Sequence, residues 1–323
     1  MSTSFQDKLM TAAQAVDLYV PDGSLVALGG FTVSRNPMLL AREIIRQKKK
    51  DLHLAVHSQG QAMDLLIGAG AVKRLEVAYA GTGRFAPTAL AFRRAVEKGE
   101  LEVEDYSNFQ MSLRFLAGAV GLPYVPTKSG LETDIIHQEG FSPETRAMSK
   151  ASAKKLLVED NPFGPPGDRV VLLPALNPDV ALIHAQYVGD GGTVRIKGLG
   201  FADAEQARSA SRLVVSFEEL VPEQWLRQDP DQNLLPGFMV DAFVQAPWGA
   251  HPTACHFFYD YDPEHLKLYA RAARTPESFH AYYDEWVFEP RDQGDYLDKI
   301  GASRLLAIRA NPASGYAPGL DRR

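Results

Sequence analysis

Residues 26–37 read VALGGFTVSRNP. The apolar run Val26–Leu28 has the composition of a β-strand, and it stops on two adjacent glycines that offer no side chain for packing. Pro37 follows at a position that suits the first turn of a helix. A strand, a glycine turn and a helix in this order open a βαβ unit, so the stretch predicts an α/β fold.

The same alternation continues through the first 125 residues of the chain. The predicted strands are 24–28, 52–56, 75–80 and 101–104, and the predicted helices are 11–19, 38–46, 61–69, 87–98 and 109–120. The strand patterns are continuous apolar runs, which are typical of strands buried on both faces. The fold class is therefore α/β, with an open, mostly parallel sheet and flanking helices.

The alternation breaks in the second third of the chain. Residues 127–168 are rich in Gly, Pro and charge, and they predict either a surface excursion with short helices or a lid. Strand patterns resume at 170–173, 180–184, 194–196, 213–217 and 240–245, and helical patterns follow at 264–273, 278–286 and 294–300. We expect a single domain over residues 1–312, with an irregular excursion at about 127–168, and a loose C-terminal tail over 313–323.

Composition restricts the class of function. The 323 residues carry a net charge of −6, which argues against nucleic acid or an acidic membrane as a partner. Cys255 is the single cysteine, so an intramolecular disulfide and a multi-cysteine metal site are excluded. We see no secretory signal in the first ten residues and no apolar run near the roughly 18 residues of a membrane helix. We therefore expect a cytoplasmic protein.

Several common catalytic motifs are absent from the sequence. It has no GxGxxG, Walker A, HExxH or GxSxG pattern, so nucleotide-dependent redox chemistry, phosphoryl transfer and serine hydrolysis lack their usual support. The segment DYDPEH at 260–265 has the residue types of a metal site. A helix that begins after Asp262 as N-cap, with Pro263 in its first turn, explains the same letters. We expect no metal site.

Glycine-bearing or polar segments follow several predicted strands. They are LGGF at 28–31, HSQGQ at 57–61, AGTGRF at 80–85 and IHAQ at 183–186, and the loop WGAHP at 248–252 joins them. In a parallel sheet these loops meet at the carboxyl edge, where such folds bind ligands. Glycines there let a substrate approach the backbone and leave N–H groups free for an oxyanion or carboxylate, or else they only turn the chain. Several such loops on one edge favour a ligand crevice.

The stretch DGSLVALGGFTVSRNP at 22–37 resembles the N-terminal signature of class I CoA-transferase α subunits. In most of that family a glycine stands two residues before the proline, and the arginine found here, Arg35, is similar to the glutaconate CoA-transferase branch. The resemblance extends over about residues 10–310. Its further segments are LEVEDYS at 101–107, GLPYVP at 121–126, DNPF at 160–163, DVALIHAQ at 179–186, GTVRI at 192–196, GAHP at 249–252 and YDYD at 259–262.

This resemblance implies a CoA-transferase-like fold and a partner that is a homologous β subunit, often in an α2β2 assembly. The implied reaction moves CoA between an acyl-CoA thioester and a free carboxylic acid, with CoA as a substrate and no tightly bound cofactor. A glutamate of the family attacks the thioester and forms first an acyl anhydride and then a glutamyl-CoA thioester. Two-chain members carry it in an SENG-like motif of the β subunit. This chain lacks that motif, and Glu139 lies in the excursion, so no catalytic residue is expected here.

The strand-end loops supply the candidate binding residues. The candidates for substrate and CoA are Gly29, Gly30, Phe31, Arg35, Ser58, Gln59, Gly60, Gly81, Asn108, Gln186, Gly249 and His251. By the resemblance, residues 29–31 would lie beside the acyl group and the thiol end of CoA. Residues 58–60 would help to stabilise the thioester oxyanion or a substrate carboxylate.

Three positions bear on the choice of substrate and reaction. Arg35 would either pair with the distal carboxylate of a dicarboxylic acid or form a structural ion pair or surface contact. Residues 57–59 are bulkier and more polar than the glycine- and alanine-rich loop of glutaconate transferases, which leaves the acid open. Related ring-opening hydrolases carry a glutamate where Asn108 stands, and an amide cannot act as a general base. This favours transfer; an acyl-CoA hydrolase or decarboxylase, or a non-catalytic ligand-binding subunit, is the alternative.

Overall fold

The computed structural model describes residues 4–322, so residues 1–3 of the predicted domain and residue 323 of the predicted tail lie outside the described residues. The strands are β1 Leu25–Leu28, β2 Leu52–Gln59, β3 Val72–Ala80, β4 Glu102–Asp105, β5 Tyr124–Thr127, β6 Leu157–Asp160, β7 Arg169–Pro174, β8 Val180–Gly189, β9 Val194–Arg195, β10 Arg212–Val221 and β11 Ala242–Gln245. The α-helices are α1 Phe5–Lys8, α2 Ala12–Tyr19, α3 Met38–Arg46, α4 Gln61–Gly68, α5 Leu90–Glu97, α6 Asn108–Ala119, α7 Pro143–Ala147, α8 Asp203–Ser209, α9 Glu223–Arg227, α10 Pro263–Ala272, α11 Pro276–Tyr283, α12 Gln293–Ile300 and α13 Ala302–Ile308.

The large sheet has the strand order β11-β10-β8-β1-β2-β3-β4, and each neighbouring pair along this path is parallel. β9 adds antiparallel to β8. The predicted open, mostly parallel sheet is thereby confirmed. The chain winds from β1 towards β4 and returns as β8 on the other side of β1. The carboxyl ends of β1 and β8 therefore form a topological switch point, where open α/β sheets bind their ligands.

The central strand β1 is buried on both faces of the large sheet, which explains why it reads as a continuous apolar run, whereas the edge strand β4 is polar and only partly buried. Val26 and Leu28 point into one core cluster, to which the helices α2 to α5 and the C-terminal helices also contribute buried side chains. Leu25 and Ala27 point into the other, which lies under α6, α8 and the excursion. Successive side chains of a strand face opposite sides, so a strand covered on both sides has no polar alternation.

The excursion is built around a second, antiparallel sheet with the order β5-β7-β6. The segment 170–173 is a strand as predicted, but it belongs to this small sheet and not to the large one. Phe141 and Val171 are buried, and Arg146 reaches back to form a buried ion pair with Glu104 of β4. The segment thus has a small sheet and short helices of its own.

The predicted loose tail is instead anchored to the body of the protein. Ala317 is 1% exposed, and its N–H donates to the Asp260 carboxylate at 2.6 Å. The guanidinium of Arg322 pairs with the same carboxylate. The segment has Gly or Pro at three of its eleven positions and no helical or strand pattern, and Asp260 lies about 60 residues away, so no local pattern connects the two.

The C-terminal half holds one confirmed helix start and three helices that were not predicted. Asp262 caps α10 as predicted, since its carboxylate accepts hydrogen bonds from the N–H groups of Glu264 and His265 at 3.0 and 2.9 Å. The short helices α8, α9 and α13 were missed. In the part of the chain that the structure describes, no helix combines the length and apolar character that crossing a membrane requires.

Candidate functional site

The turn after β1 needs both of its glycines because the chain folds back upon itself there. Gly30 has a φ of +82°, and a Cβ on it would come within 2.5 Å of the carbonyl oxygens of Ser34 and Arg35. A Cβ on Gly29 would approach Ile183 Cγ2 to 2.8 Å. A side chain of any size at these positions would therefore force the turn away from β8 and from the backbone of residues 34 and 35.

The N–H groups of this turn are used within the chain. Gly29 donates to the Leu182 carbonyl at 2.9 Å, and Phe31 donates to the Ser34 carbonyl at 2.8 Å. The Gly30 N–H donates to Asp203 Oδ1 at 2.8 Å. The expectation that these glycines leave N–H groups free for an oxyanion is therefore wrong at this turn. These hydrogen bonds hold the shape of the turn.

The loop after β2 is locked against the loop after β1. Gln59 is buried and points inward, where its Nε2 donates to the Gly29 carbonyl at 2.7 Å. Thr32 N–H donates to the Ser58 carbonyl at 3.0 Å. A Cβ on Gly60 would come within 2.0 Å of the Thr32 carbonyl oxygen, so only glycine permits this contact.

The next two strand ends continue the same edge. The Gly81 N–H after β3 donates to the Gln59 carbonyl at 3.0 Å. After β4, Asn108 is the exposed first residue of α6, and its Oδ1 accepts a hydrogen bond from Ser58 Oγ at 2.5 Å. The predicted residues of β1 to β4 are thus brought together along one edge of the sheet.

The accessible face of this edge is formed by Phe31, His57 and Asn108. The rings of Phe31 and His57 lie 5.7 Å apart, and Phe31 also stacks on Phe201 at 4.7 Å. Burial lowers the pKa of His57, although a backbone hydrogen bond at Asn108 and the charge of Asp203 partly offset it. The imidazole is therefore neutral at neutral pH, and the face is apolar with an amide and a neutral ring as its polar groups.

Arg35 lies in the left-handed region at φ +48°, which explains why glycine is common at this place in the resembling family. Its guanidinium is buried and pairs with Asp203 at 2.5 Å. The same guanidinium donates to the Leu199 carbonyl at 2.7 Å. Of the predicted alternatives for Arg35, the structure shows the structural ion pair. Since Asp203 also holds Gly30, this pair fastens the turn.

A cavity of about 380 Å³ is lined in part by Ser34 and Arg35 of the same loop. Its walls come from four segments: the loop after Gly30, the loop after β9, the turn before α10 and the anchored tail. Representative lining residues are Ser34, Arg35, Lys197, Phe201, Tyr261 and Tyr316. The cavity thus combines apolar and aromatic walls with a few charged groups, which is typical of a small-molecule site.

The remaining predicted residues lie behind this surface. Gln186 is buried, and its amide bonds Lys197 and His256. A Cβ on Gly249 would approach His184 Cε1 to 2.8 Å, so that glycine serves close packing.

His251 is buried as well, and the structure does not bring it to the crevice. Its ring nitrogens lie 2.8 Å from Tyr296 Oη and 3.1 Å from the Asp262 carboxylate, so neither is left for a substrate. Burial lowers the pKa of His251, although Asp262 partly offsets it.

His184, Glu218 and Cys255 form the group of side chains in the described part of the chain whose atoms are close enough to share a metal ion. His184 Nε2 lies 2.7 Å from Glu218 Oε1, and its Nδ1 lies 2.8 Å from Ser216 Oγ. Tyr259 donates to the same carboxylate, and burial raises the pKa of the Cys255 thiol well above its ordinary value. These polar atoms already have partners, and the thiol is protonated, so the group is a hydrogen-bonded core and not a ready metal site.

Sequence reasoning missed Lys197, Phe201 and Asp203. Lys197 directly follows the segment GTVRI, which resembled the family, and that adjacency was the one available signal. Phe201 and Asp203 stand in a glycine-flanked loop and a short helix with no strong pattern. Their roles depend on contacts with residues more than 150 positions away.

Comparison with known proteins is consistent with this geometry. The family model for coenzyme A transferase matches residues 9–246. One subunit of the glutaconate CoA-transferase of Acidaminococcus fermentans is 40% identical over 96% of this chain and 97% of its own length. One subunit of the 3-oxoadipate CoA-transferase of Pseudomonas knackmussii is 31% identical over 92% of this chain and 99% of its own length.

A solved structure shows that the similarity extends to the fold. The crystal structure of glutaconate coenzyme A-transferase from Acidaminococcus fermentans matches with a TM-score of 0.92, covering 96% of this chain and 98% of that one at 40% identity. The match in sequence and the match in fold both extend over nearly the whole chain. This protein therefore belongs to the coenzyme A transferase family.

Proposed function

We propose that this chain is the α subunit of a heteromeric CoA-transferase that moves CoA between an acyl-CoA thioester and a free dicarboxylic acid. One observation supports the view that the partner chain, and not this one, supplies the nucleophile. Asp203 is the carboxylate that touches the Gly29–Gly30 turn, and it is buried, paired with Arg35 and bonded to the Gly30 N–H. A carboxylate so engaged cannot attack a thioester. The chain builds a wall of the site, and its partner brings the nucleophilic glutamate.

The residues of the wall divide into two roles. Phe31 is half-buried and Asn108 is exposed, so they would contact the acyl group and its thioester oxygen, with the Asn108 amide as hydrogen-bond donor. Gln59, Gly60 and Arg35 would act by positioning these groups, because their own contacts lie within the chain. Asn108 is an amide, which supports transfer to an acid over base-assisted hydrolysis by this chain.

A dicarboxylic acid is the substrate class that the relatives and the surface support. Glutaconate and 3-oxoadipate, which give the two related enzymes their names, are both dicarboxylic acids. The cavity of about 380 Å³ beside the turn has apolar walls and charged groups, which suits a short chain with a terminal carboxylate. His57, the partly exposed residue of the loop 57–59, would allow an acid that carries an additional hydrogen-bonding group.

The partner in this proposal is a homologous β subunit, in an assembly that would be α2β2. Both relatives are named as one subunit of their enzyme, and this chain matches nearly their full length. The site edge of the present chain is open at Phe31 and Asn108, where a second chain would complete it.

Kinetics of the complex test the proposal. The chain carries an N-terminal tag, because the C-terminal tail lines the cavity, and is purified together with its partner. We expect ping-pong kinetics and an enzyme–CoA adduct that hydroxylamine destroys. Release of CoA to water at the same rate with and without an acceptor acid would overturn the proposal. Unchanged turnover in Asn108→Ala and Phe31→Ala would show that this chain takes no part in catalysis.

A further inference from the structure

The charged side chains that line the cavity beside the turn are mostly neutralised by one another. Arg35 is paired with Asp203, and Arg322 is paired with Asp260. Asp260 additionally accepts the Ala317 N–H at 2.6 Å. Each pair therefore contributes little net charge to the part of the cavity that it lines.

Lys197 is the exception among the lining groups. Among residues 4–322, no carboxylate lies within ion-pair distance of its Nζ. The Nζ instead lies 4.1 Å from the centre of the Phe257 ring, a cation–π contact that orients the ammonium group without neutralising it. His256 adds no charge at neutral pH, because burial lowers its pKa, although a backbone hydrogen bond at Gly315 partly offsets this. The cavity therefore presents one uncompensated positive charge.

The backbone that carries Lys197 is held by a buried amide. Gln186 Oε1 accepts the Lys197 N–H at 3.2 Å, and Gln186 Nε2 donates to the Lys197 carbonyl at 2.9 Å. The same Nε2 donates to the His256 carbonyl at 3.1 Å. A fully buried glutamine thus uses both ends of its amide to fix two residues of the cavity wall. This is a preorganised position and not a loose surface lysine.

The cavity adjoins the accessible face of the crevice. Phe201 lines the cavity and stacks on Phe31, with ring centres 4.7 Å apart. Ser34 and Arg35 line it directly after the glycine turn. An acyl chain that passes Phe31 would therefore have apolar surface beside it and the Lys197 ammonium group further along.

We propose that Lys197 is the specificity-determining residue that binds the distal carboxylate of the acid substrate, with Gln186 as its positioning residue. This rests on the proposed function and assigns its substrate recognition to a group other than Arg35. Arg35 is the residue whose charge first suggests this role, but its guanidinium is already bound to Asp203 and to the Leu199 carbonyl. A lysine recognises a carboxylate as a compact point charge with three donors.

Lys197→Met in the purified complex tests the inference. Acceptors are straight-chain dicarboxylic acids and the monocarboxylic acids of equal length. A lost charge-assisted hydrogen bond corresponds to about a 10- to 100-fold change, so we expect the KM for dicarboxylic acids to rise by that factor. The KM for monocarboxylic acids and for the acyl-CoA donor should change less than about twofold. Lys197→Arg should keep most of the preference for dicarboxylic acids, because the charge is retained.

Lys73→Met is the matched control, since Lys73 is an exposed lysine on β3 away from the cavity. An equal loss for dicarboxylic and monocarboxylic acids, or no change for either, would overturn the inference. A rise confined to the KM of the acyl-CoA would also overturn it and would assign Lys197 to a CoA phosphate. A wild-type complex that transfers CoA to no acid at all would instead overturn the proposed function, and the inference with it.

Discussion

Arg35 and Asp203 form a buried ion pair that joins the loop after β1 to the first residue of α8. Their side chains are 2% and 0% exposed, and Arg35 Nη1 lies 2.5 Å from Asp203 Oδ2. Asp203 Oδ1 accepts the Gly30 N–H, so the pair acts directly on the glycine turn. The charge of each partner is tolerated in the core only because the other is present.

The first prediction concerns this pair. Arg35→Gly relieves a left-handed backbone, which is a gain of about 1 kcal/mol, but it leaves the Asp203 carboxylate buried without a partner. We expect a net decrease of about 3 kcal/mol in the free energy of unfolding, measured from the urea midpoint of the complex. Adding Asp203→Asn should recover part of the loss, because the buried charge is removed.

Arg212→Ala serves as the control, because Arg212 pairs with Asp241 on the surface and is 61% exposed. It should change the free energy of unfolding by no more than about 1 kcal/mol. Equal effects of the buried and the exposed substitution would contradict the role given to the Arg35–Asp203 pair.

The second prediction tests the contact between the first two strand-end loops. Gly60→Ala places a Cβ where the Thr32 carbonyl oxygen lies, at 2.0 Å, so the loops must separate. We expect at least a 100-fold loss of kcat/KM, since small misplacements of an active-site wall carry large losses. Gly319→Ala, where a Cβ meets no atom within 4 Å, should leave the activity unchanged. Full activity of Gly60→Ala would show that the site does not depend on this contact.

The third prediction concerns the pH dependence of stability. Burial lowers the pKa of His265 well below its ordinary value and also lowers that of His251. Below about pH 6.5 the unfolded chain gains protons that the folded chain does not accept, so stability falls as the pH drops. Each such histidine contributes at most about 1.4 kcal/mol per pH unit.

The thermal midpoint of the complex should therefore decrease between about pH 7.5 and 5.5. His265→Gln should make this decrease smaller, whereas His280→Gln, at an exposed helix position, should leave its slope unchanged. A slope that is the same in wild type and His265→Gln would rule out the assigned titration.

The fourth prediction concerns the C-terminal tail. Asp260 accepts the Ala317 N–H and pairs with Arg322, so Asp260→Ala should release the tail. We expect carboxypeptidase to remove the last residues faster from this variant than from the wild-type complex, as read by mass spectrometry. Asp231→Ala, at an exposed position, is the control. Equal rates of removal would mean that Asp260 does not anchor the tail.

The large sheet was predictable because its signals are local. The apolar run of β1 and the glycines that follow β1, β2 and β3 lie in short segments, and burial of β1 on both faces leaves a continuous apolar pattern. The cap at Asp262 was predictable for the same reason, since it depends on its immediate neighbours. Fold class and helix starts therefore follow from patterns a few residues long.

The site was predicted only in part because its contacts are non-local. The pairing of Arg35 with Asp203 spans 168 positions, and the anchoring of the tail by Asp260 spans 57. Gln59 was correctly placed at the strand end, but its side chain faces inward because the Gly29 carbonyl needs a donor there. Spacing along one sequence shows which residues share an edge of a sheet, and not which of them face the ligand.

The central claim is that this chain supports a nucleophile that another chain supplies. The most direct measurement is to incubate the complex with acyl-CoA, trap the covalent CoA adduct by rapid acid quench, and locate it by mass spectrometry of the separated chains. The account predicts an unmodified mass for this chain and the adduct on a glutamate of the partner. A CoA adduct on any carboxylate of this chain would contradict it.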